Sequence, residues 1–287
     1  MRPVHITLSL QCGEQKRQNP QRVGEDLEAK SLHLLCDMCD ELSGAVNSLG
    51  GKPGDFFDYF KFHSAKYVNY ADEGFIFLRQ ATPPRIAASK LLIRPAIEIM
   101  FRLEAIQEQP EILYRIAYSE SEEDWKWFAP AAARSGKEHN YDRATHQHRW
   151  NEFKAKYTEQ FPTHELVEQT ITTAQLAAAA GLAEYYDTHY RMYCRYTHAA
   201  FRAIGGFLDE LANPEDNRTM GLCTLSALRA LSSLGIDMPN LNSLSEGLKN
   251  LDKMLMERSD RKQQRKRHSS FNSRPCSLIP NGEHLDC

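Results

Sequence analysis

Arg191 and His198 stand seven positions apart in the run YYDTHYRMYCRYTHAAFR, residues 185–202. An arginine can hold phosphate oxygens through its fork of N–H donors, and a histidine can move a proton near neutral pH. On a helix turning about 100° per residue, Asp187, Arg191, Arg195, His198 and Arg202 share one face. Tyr186, His189, Tyr193, Tyr196, Ala200, Ile204 and Phe207 take the opposite face, which suits a core. The charged stripe has two readings. In the first, Asp187 and Arg191 form an i,i+4 pair contributing about 0.2–0.5 kcal/mol, and the rest is solvated. In the second, the stripe lines a cleft in which arginines hold phosphate and His198 transfers a proton.

A second constellation runs through Lys90, Arg94, Glu98 and Arg102 at steps of four. Its helix is otherwise apolar, with Leu91, Ile93, Ile97, Ile99, Met100 and Leu103. Charges in such a segment need partners, because stripping water from them is costly. Arg94 and Glu98 can pair with each other. Alternatively, Glu98 meets Arg191 or Arg195 and joins the two stripes into one polar centre. A pocket there, lined by Tyr190, Arg94 and His198, would suit a small molecule.

Two resemblances rest on these residues. The Arg-x6-His spacing of Arg191 and His198 is similar to that of the HEPN superfamily of helical ribonucleases. That resemblance implies a metal-free endoribonuclease of a toxin or phage-defence system, acting on RNA as a homodimer. His198 would help to activate the ribose 2′-hydroxyl, and Arg191 would stabilise charge building on the phosphate. Met192 departs from that pattern, in which a polar residue often follows the arginine. The segments LLIRPAIEIMFRL and YYDTHYRMYCRYTHAAF together resemble a bacterial family of uncharacterised proteins, domain of unknown function 5677, over roughly residues 25–235. This second resemblance implies a helical fold and a polar centre at Arg94, Glu98, Tyr190, Arg191 and His198, without implying a reaction. The binding residues expected are Arg94, Glu98, Tyr190, Arg195 and Arg202. The competing function is a non-catalytic helical interaction module whose Arg/Glu/His centre is structural.

Other chemistry is weaker. Cys36-x-x-Cys39 falls inside a helix, away from the helix N-terminus that would lower a thiol pKa, and reads as structural. His139, His146 and His148 cluster in the polar fifth helix, but His146 and His148 point to different sides of it, so no metal and no cofactor are expected. Trp125, Trp127 and Trp150 read as packing anchors. No Gly-rich phosphate loop, G-x-S-x-G elbow or H-E-x-x-H is present.

Helices must position all of these residues. Apolar residues recur at helical spacing from Gln21 to Ser48, and GGKPGD at 50–55 breaks the chain. Further helices are expected over about 56–80, from TPPR at 82–85 with a kink at Pro95, over 109–133 and over 141–161. Pro162 ends the last of these, and Thr163 is placed to cap the next helix or pair of helices, which finish near Gly181. A long helix from 185 to about 212, a loop at NPEDN, and helices near 218–234 and 243–258 complete the reading. The fold class is all-α, a bundle of about seven to nine helices with disordered termini. Residues 1–20 read as a disordered arm, 21–258 as a single helical domain, and 259–287 as a disordered basic tail that could contact nucleic acid or an acidic protein. The net charge of −3 argues against bulk nucleic-acid binding, and seven irregularly spaced cysteines argue for a reducing cytoplasm. No stretch approaches the roughly 20 apolar residues of a membrane span.

Overall fold

The computed structural model describes residues 23–48, 54–80, 83–136, 142–197 and 214–272. All regular structure in these residues is helical. We number the helices α1 (Val23–Ser48), α2 (Phe56–Arg79), α3 (Pro83–Glu108), α4 (Ile112–Arg134), α5 (Arg143–Gln160) and α6 (Thr173–Ala179). Next comes a composite rod, α7, which is α-helical at Ala183–Tyr185 and Arg191–Thr197 with a π turn at Tyr186–Tyr190 between them. The last two are α8 (Pro214–Ser232) and α9 (Leu241–Asn272).

Local chemistry sets several helix ends. Asp55 and Asp142 each take the backbone N–H three residues on, at 2.8 Å and 2.6 Å, and so start α2 and α5. Thr172 and Gln175 form a capping box at the start of α6. Gly181, at φ +68°, closes that helix, where a side chain would be strained.

The core is built around α8, which packs against α1, α2, α3 and α9. Leu35, Met38, Leu42, Phe75, Ile76, Ile93, Ile97, Leu228 and Leu231 are nearly or wholly excluded from solvent there. Removing an apolar side chain of that size from water stabilises by about 1.5–3 kcal/mol, which holds the four central helices together. Beside this core, α4 and α5 form an aromatic annex. Tyr114, Trp150, Phe153 and Tyr157 pack there with ring centroids 5.1–6.3 Å apart, and Phe56 of α2 joins Phe153 at 4.9 Å. Glu168 locks the annex by accepting from Tyr114, Trp150 and Lys154 at 3.1, 3.3 and 2.7 Å.

Several expectations need correction. Residues 163–172 form no helix: their backbone is held by side chains of α4, with Arg115 reaching the carbonyls of Gln169 and Thr170 and Ser119 accepting from Ile171 N–H. The helix therefore starts at Thr173, and its cap is Thr172, nine residues after the cap expected at Thr163. The PEDN of the expected loop is instead the first turn of α8, with proline leading and Glu215 and Asp216 following. By contrast, α3 runs without a break through Pro95, as expected. The last helix continues to Asn272, past position 259 where the tail was expected to begin. The arm at 1–20 lies outside the described residues, as does the stretch 273–287.

Candidate functional site

On α3, Arg94 and Glu98 are one helical turn apart, and Arg94 Nε donates to Glu98 Oε1 at 3.0 Å. Tyr190 arrives from α7 and donates its hydroxyl to the same oxygen at 2.7 Å. The Arg94 guanidinium lies over the Tyr190 ring, 5.9 Å from its centre. Burial works against the charge of Arg94, but Tyr190 and Glu98 more than offset it, and its pKa stands above the ordinary value. Burial, then the hydrogen bond to Glu98, push the Tyr190 phenol up. Glu98 thus pairs with Arg94 and recruits the second helix through a tyrosine; neither Arg191 nor Arg195 is its partner.

Arg94 and Glu98 form one wall of a pocket of about 270 Å³, whose lining does not include Tyr190. Arg102, Ser119, Glu120, Glu123 and Thr173 line the rest of its polar surface, and Ile116, Ile171 and Leu176 its apolar floor. Arg102 is in contact with Glu120. Arg94 and Glu98 keep 28% and 30% of their side-chain surface accessible, so this polar centre is open to water.

The π turn explains how Tyr190 reaches α3. A π turn inserts an extra residue into a helix, and everything after it is rotated relative to a regular wheel. Tyr190 and Tyr193 are buried, at 5% and 0%, while Asp187, Arg191, Met192 and Arg195 face outward. Arg191 pairs with Asp187 at 3.4 Å, and both are about two-thirds exposed. That is the solvated i,i+4 arrangement. His198 and Arg202 lie outside the described residues. His189 stacks on Tyr185 with rings 8° from parallel, and burial followed by the charge of Arg218 lowers its pKa.

A second, closed polar centre went unanticipated. Arg79, Lys90 and Asp216 are almost wholly buried, and Glu28 keeps 20% of its side-chain surface. Arg79 Nη2 meets Glu28 at 2.5 Å, and Lys90 Nζ lies 3.1 Å from Asp216 Oδ2. Arg79 Nη1 approaches the same oxygen at 3.6 Å, a charge contact more than a directed bond. Tyr193 donates to Asp216 Oδ1 at 2.8 Å, and Asn217 Nδ2 donates to Ser31 at 2.9 Å and Glu28 at 3.2 Å. Five elements, α1, α2, α3, α7 and α8, converge here with two positive and two negative charges. The signal was legible: Pro214 followed by Glu215 and Asp216 is a helix-start signature, and that start places Asp216.

Cys36 and Cys39 form no disulfide among the described residues, and burial, then nearby Asp72, raises the Cys39 pKa, which suits a structural cysteine. No group of three His, Cys, Asp or Glu among the described residues could hold a metal ion. His146 faces Ser121 and Glu122, whereas His148 pairs with Glu152 on another side; His139 lies outside the described residues. Trp150 is a packing anchor, but Trp127 is 77% exposed and anchors nothing in its own fold. No described helix is long and apolar enough to cross a membrane.

Comparison with curated proteins and with solved structures yields no match to this chain. A family profile does match residues 57–216, more than half of the 287-residue chain, and spans Arg94, Glu98, Tyr190, Arg191 and His198 as well as Arg79, Lys90 and Asp216. The chain belongs to the family of unknown function DUF5677.

Proposed function

We propose that the protein binds a small polar molecule bearing a cationic group in the pocket between α3, α4 and the start of α6. The observation that carries this reading is the Arg94–Glu98 pair, its carboxylate fixed by Tyr190, on one wall of an open 270 Å³ cavity. The cations lining it are engaged, Arg94 with Glu98 and Arg102 with Glu120. The lining carboxylates keep accepting capacity. Glu98 uses one oxygen for both of its bonds, and Glu123 has no partner among the described residues. Lining charges of two arginines and three glutamates favour an amine or guanidine over a phosphate. Isothermal titration with agmatine, spermidine and inorganic phosphate tests this. Amine binding weakened at least about tenfold by Glu98→Gln, with the fold intact, is expected. Phosphate binding, or amine binding indifferent to Glu98→Gln, would overturn it.

A second reading retains Arg191 and His198 as the working pair of a metal-free, HEPN-like endoribonuclease acting on RNA across a homodimer. What supports it is the 68% exposure of Arg191, held by an ion pair that contributes only about 0.2–0.5 kcal/mol and is readily exchanged for a phosphate. Cleavage of RNA by the purified protein, lost in His198→Ala, is the expected result. Equal activity in both proteins, or none in either, would sink it.

A further inference from the structure

The outer face of α2 carries a pattern its inner face does not need. Ser64, Ala65, Val68, Ala71, Asp72, Phe75 and Ile76 are buried against the core. On the other side, Tyr59, His63, Lys66, Tyr70, Glu73 and Phe77 follow one another at steps of 4, 3, 4, 3 and 4. That alternation is the spacing of a coiled-coil seam. Tyr59, Tyr70 and Phe77 are 56–59% exposed, and His63 and Glu73 are exposed as well. The seam runs about 27 Å along the helix, at 1.5 Å per residue. Large apolar groups gathered on one exposed face mark an interaction surface.

We propose that this seam pairs antiparallel with the same seam of a second copy of the chain, about a two-fold axis level with residue 68. The sequence of the stripe is complementary to its own reversal. Numbers that sum to 136 face each other across such an axis. Tyr59 then meets Phe77 of the second copy, an aromatic pair. His63 meets Glu73, and Lys66 meets the ring of Tyr70, an arrangement Lys66 already makes within its own helix, where its Nζ lies 5.8 Å from the Tyr70 ring centre. Each contact occurs twice, as an isologous interface requires. The neighbouring registers, in which facing numbers sum to 129 or 143, set His63 against Lys66 or Glu73 against the Tyr70 ring. This surface is distinct from the Arg191 face through which a HEPN-like dimer would form, and from the Arg94–Glu98 pocket on α3. One helix pair of this length buries less than a standard interface, so the dimer is expected to be of micromolar order.

Sedimentation velocity on the full chain across about 1–100 µM tests this, with circular dichroism as the check on folding. A concentration-dependent monomer–dimer equilibrium is expected for the wild type. His63→Glu sets two carboxylates against each other, and should raise the dissociation constant at least about tenfold. Glu73→Lys should do the same, and the double variant His63→Glu/Glu73→Lys should restore dimerisation by exchanging the charges. A wild type monomeric to 100 µM, or a dimer that His63→Glu leaves unchanged, would overturn the proposal. So would a double variant no tighter than the singles. Tyr70→Ala guards against a charge variant that fails to fold: it too must weaken the dimer.

Discussion

Lys90 and Arg94 are one turn apart on the same helix, yet they serve opposite kinds of polar centre. Around Lys90 the charges are sealed: Arg79, Lys90 and Asp216 have almost no accessible surface, and four more elements close over them. Around Arg94 the charges are open, with more than a quarter of each side chain accessible and a pocket in front. The closed centre joins helices, and taking one of its members away leaves a buried charge short of a partner and out of reach of water. The open centre can let water take over whatever it loses. A charge that can be re-solvated cheaply is also one that a ligand can engage cheaply, so the open centre is where binding belongs.

Stability measurements can break this contrast. Lys90→Met should cost about 3–5 kcal/mol in urea unfolding, because Asp216 is left buried beside an apolar side chain. A loss below about 1 kcal/mol would mean that water reaches the cluster and that it is not sealed.

A neighbouring buried carboxyl gives a pH test of the same closure. Asp72 is fully buried, burial raises its pKa well above the ordinary value, and the Thr224 hydroxyl is 2.7 Å away. That hydroxyl is also 2.8 Å from the Met220 carbonyl, to which it can give its one proton while a protonated Asp72 donates to it. A raised folded pKa contributes stability that is complete below the unfolded value of 3.8 and is lost as pH rises toward the folded value. Asp72→Asn stays neutral throughout, so its melting temperature relative to wild type should rise between pH 5 and pH 8. A constant difference across that range would show that Asp72 is ionised in the folded protein.

Tyr190→Phe removes one hydrogen bond from the open centre and should cost about 0.5–1.5 kcal/mol, well short of the Lys90 effect. A cost as large as that of Lys90→Met would make the two centres equivalent. At the surface, Asp187→Ala should cost no more than about 0.5 kcal/mol, since its pair with Arg191 is solvated.

The helices α1 to α5 were legible because their apolar residues keep a helical period and aspartates or prolines mark their starts. The Arg94–Glu98 pair was legible for the same reason, as four-residue spacing places both side chains on one face. Tyr190 was named for the polar centre through the family resemblance, but the π turn at Tyr186–Tyr190 was not legible, because a wheel of constant 100° has no place for it. Reading PEDN as a loop hides Asp216, and with it the closed cluster, whose members are up to 189 positions apart. Residues 163–172 carry a capping residue and apolar positions, but side chains of α4 hold that backbone extended, which is information from another part of the chain.

The separation of the closed cluster along the chain also sets an order of events during synthesis. Arg79 and Glu28 leave the ribosome early and can meet within the first helical hairpins. The carboxylate that faces Lys90 is made 126 residues later, at position 216. At roughly 5–20 residues per second that delay is on the order of ten seconds. For that interval α1, α2 and α3 present the apolar faces that α8 will cover, with a lysine among them that keeps water close. Until α8 emerges, those three helices therefore lack both the apolar cover and the carboxylate that the finished fold gives them.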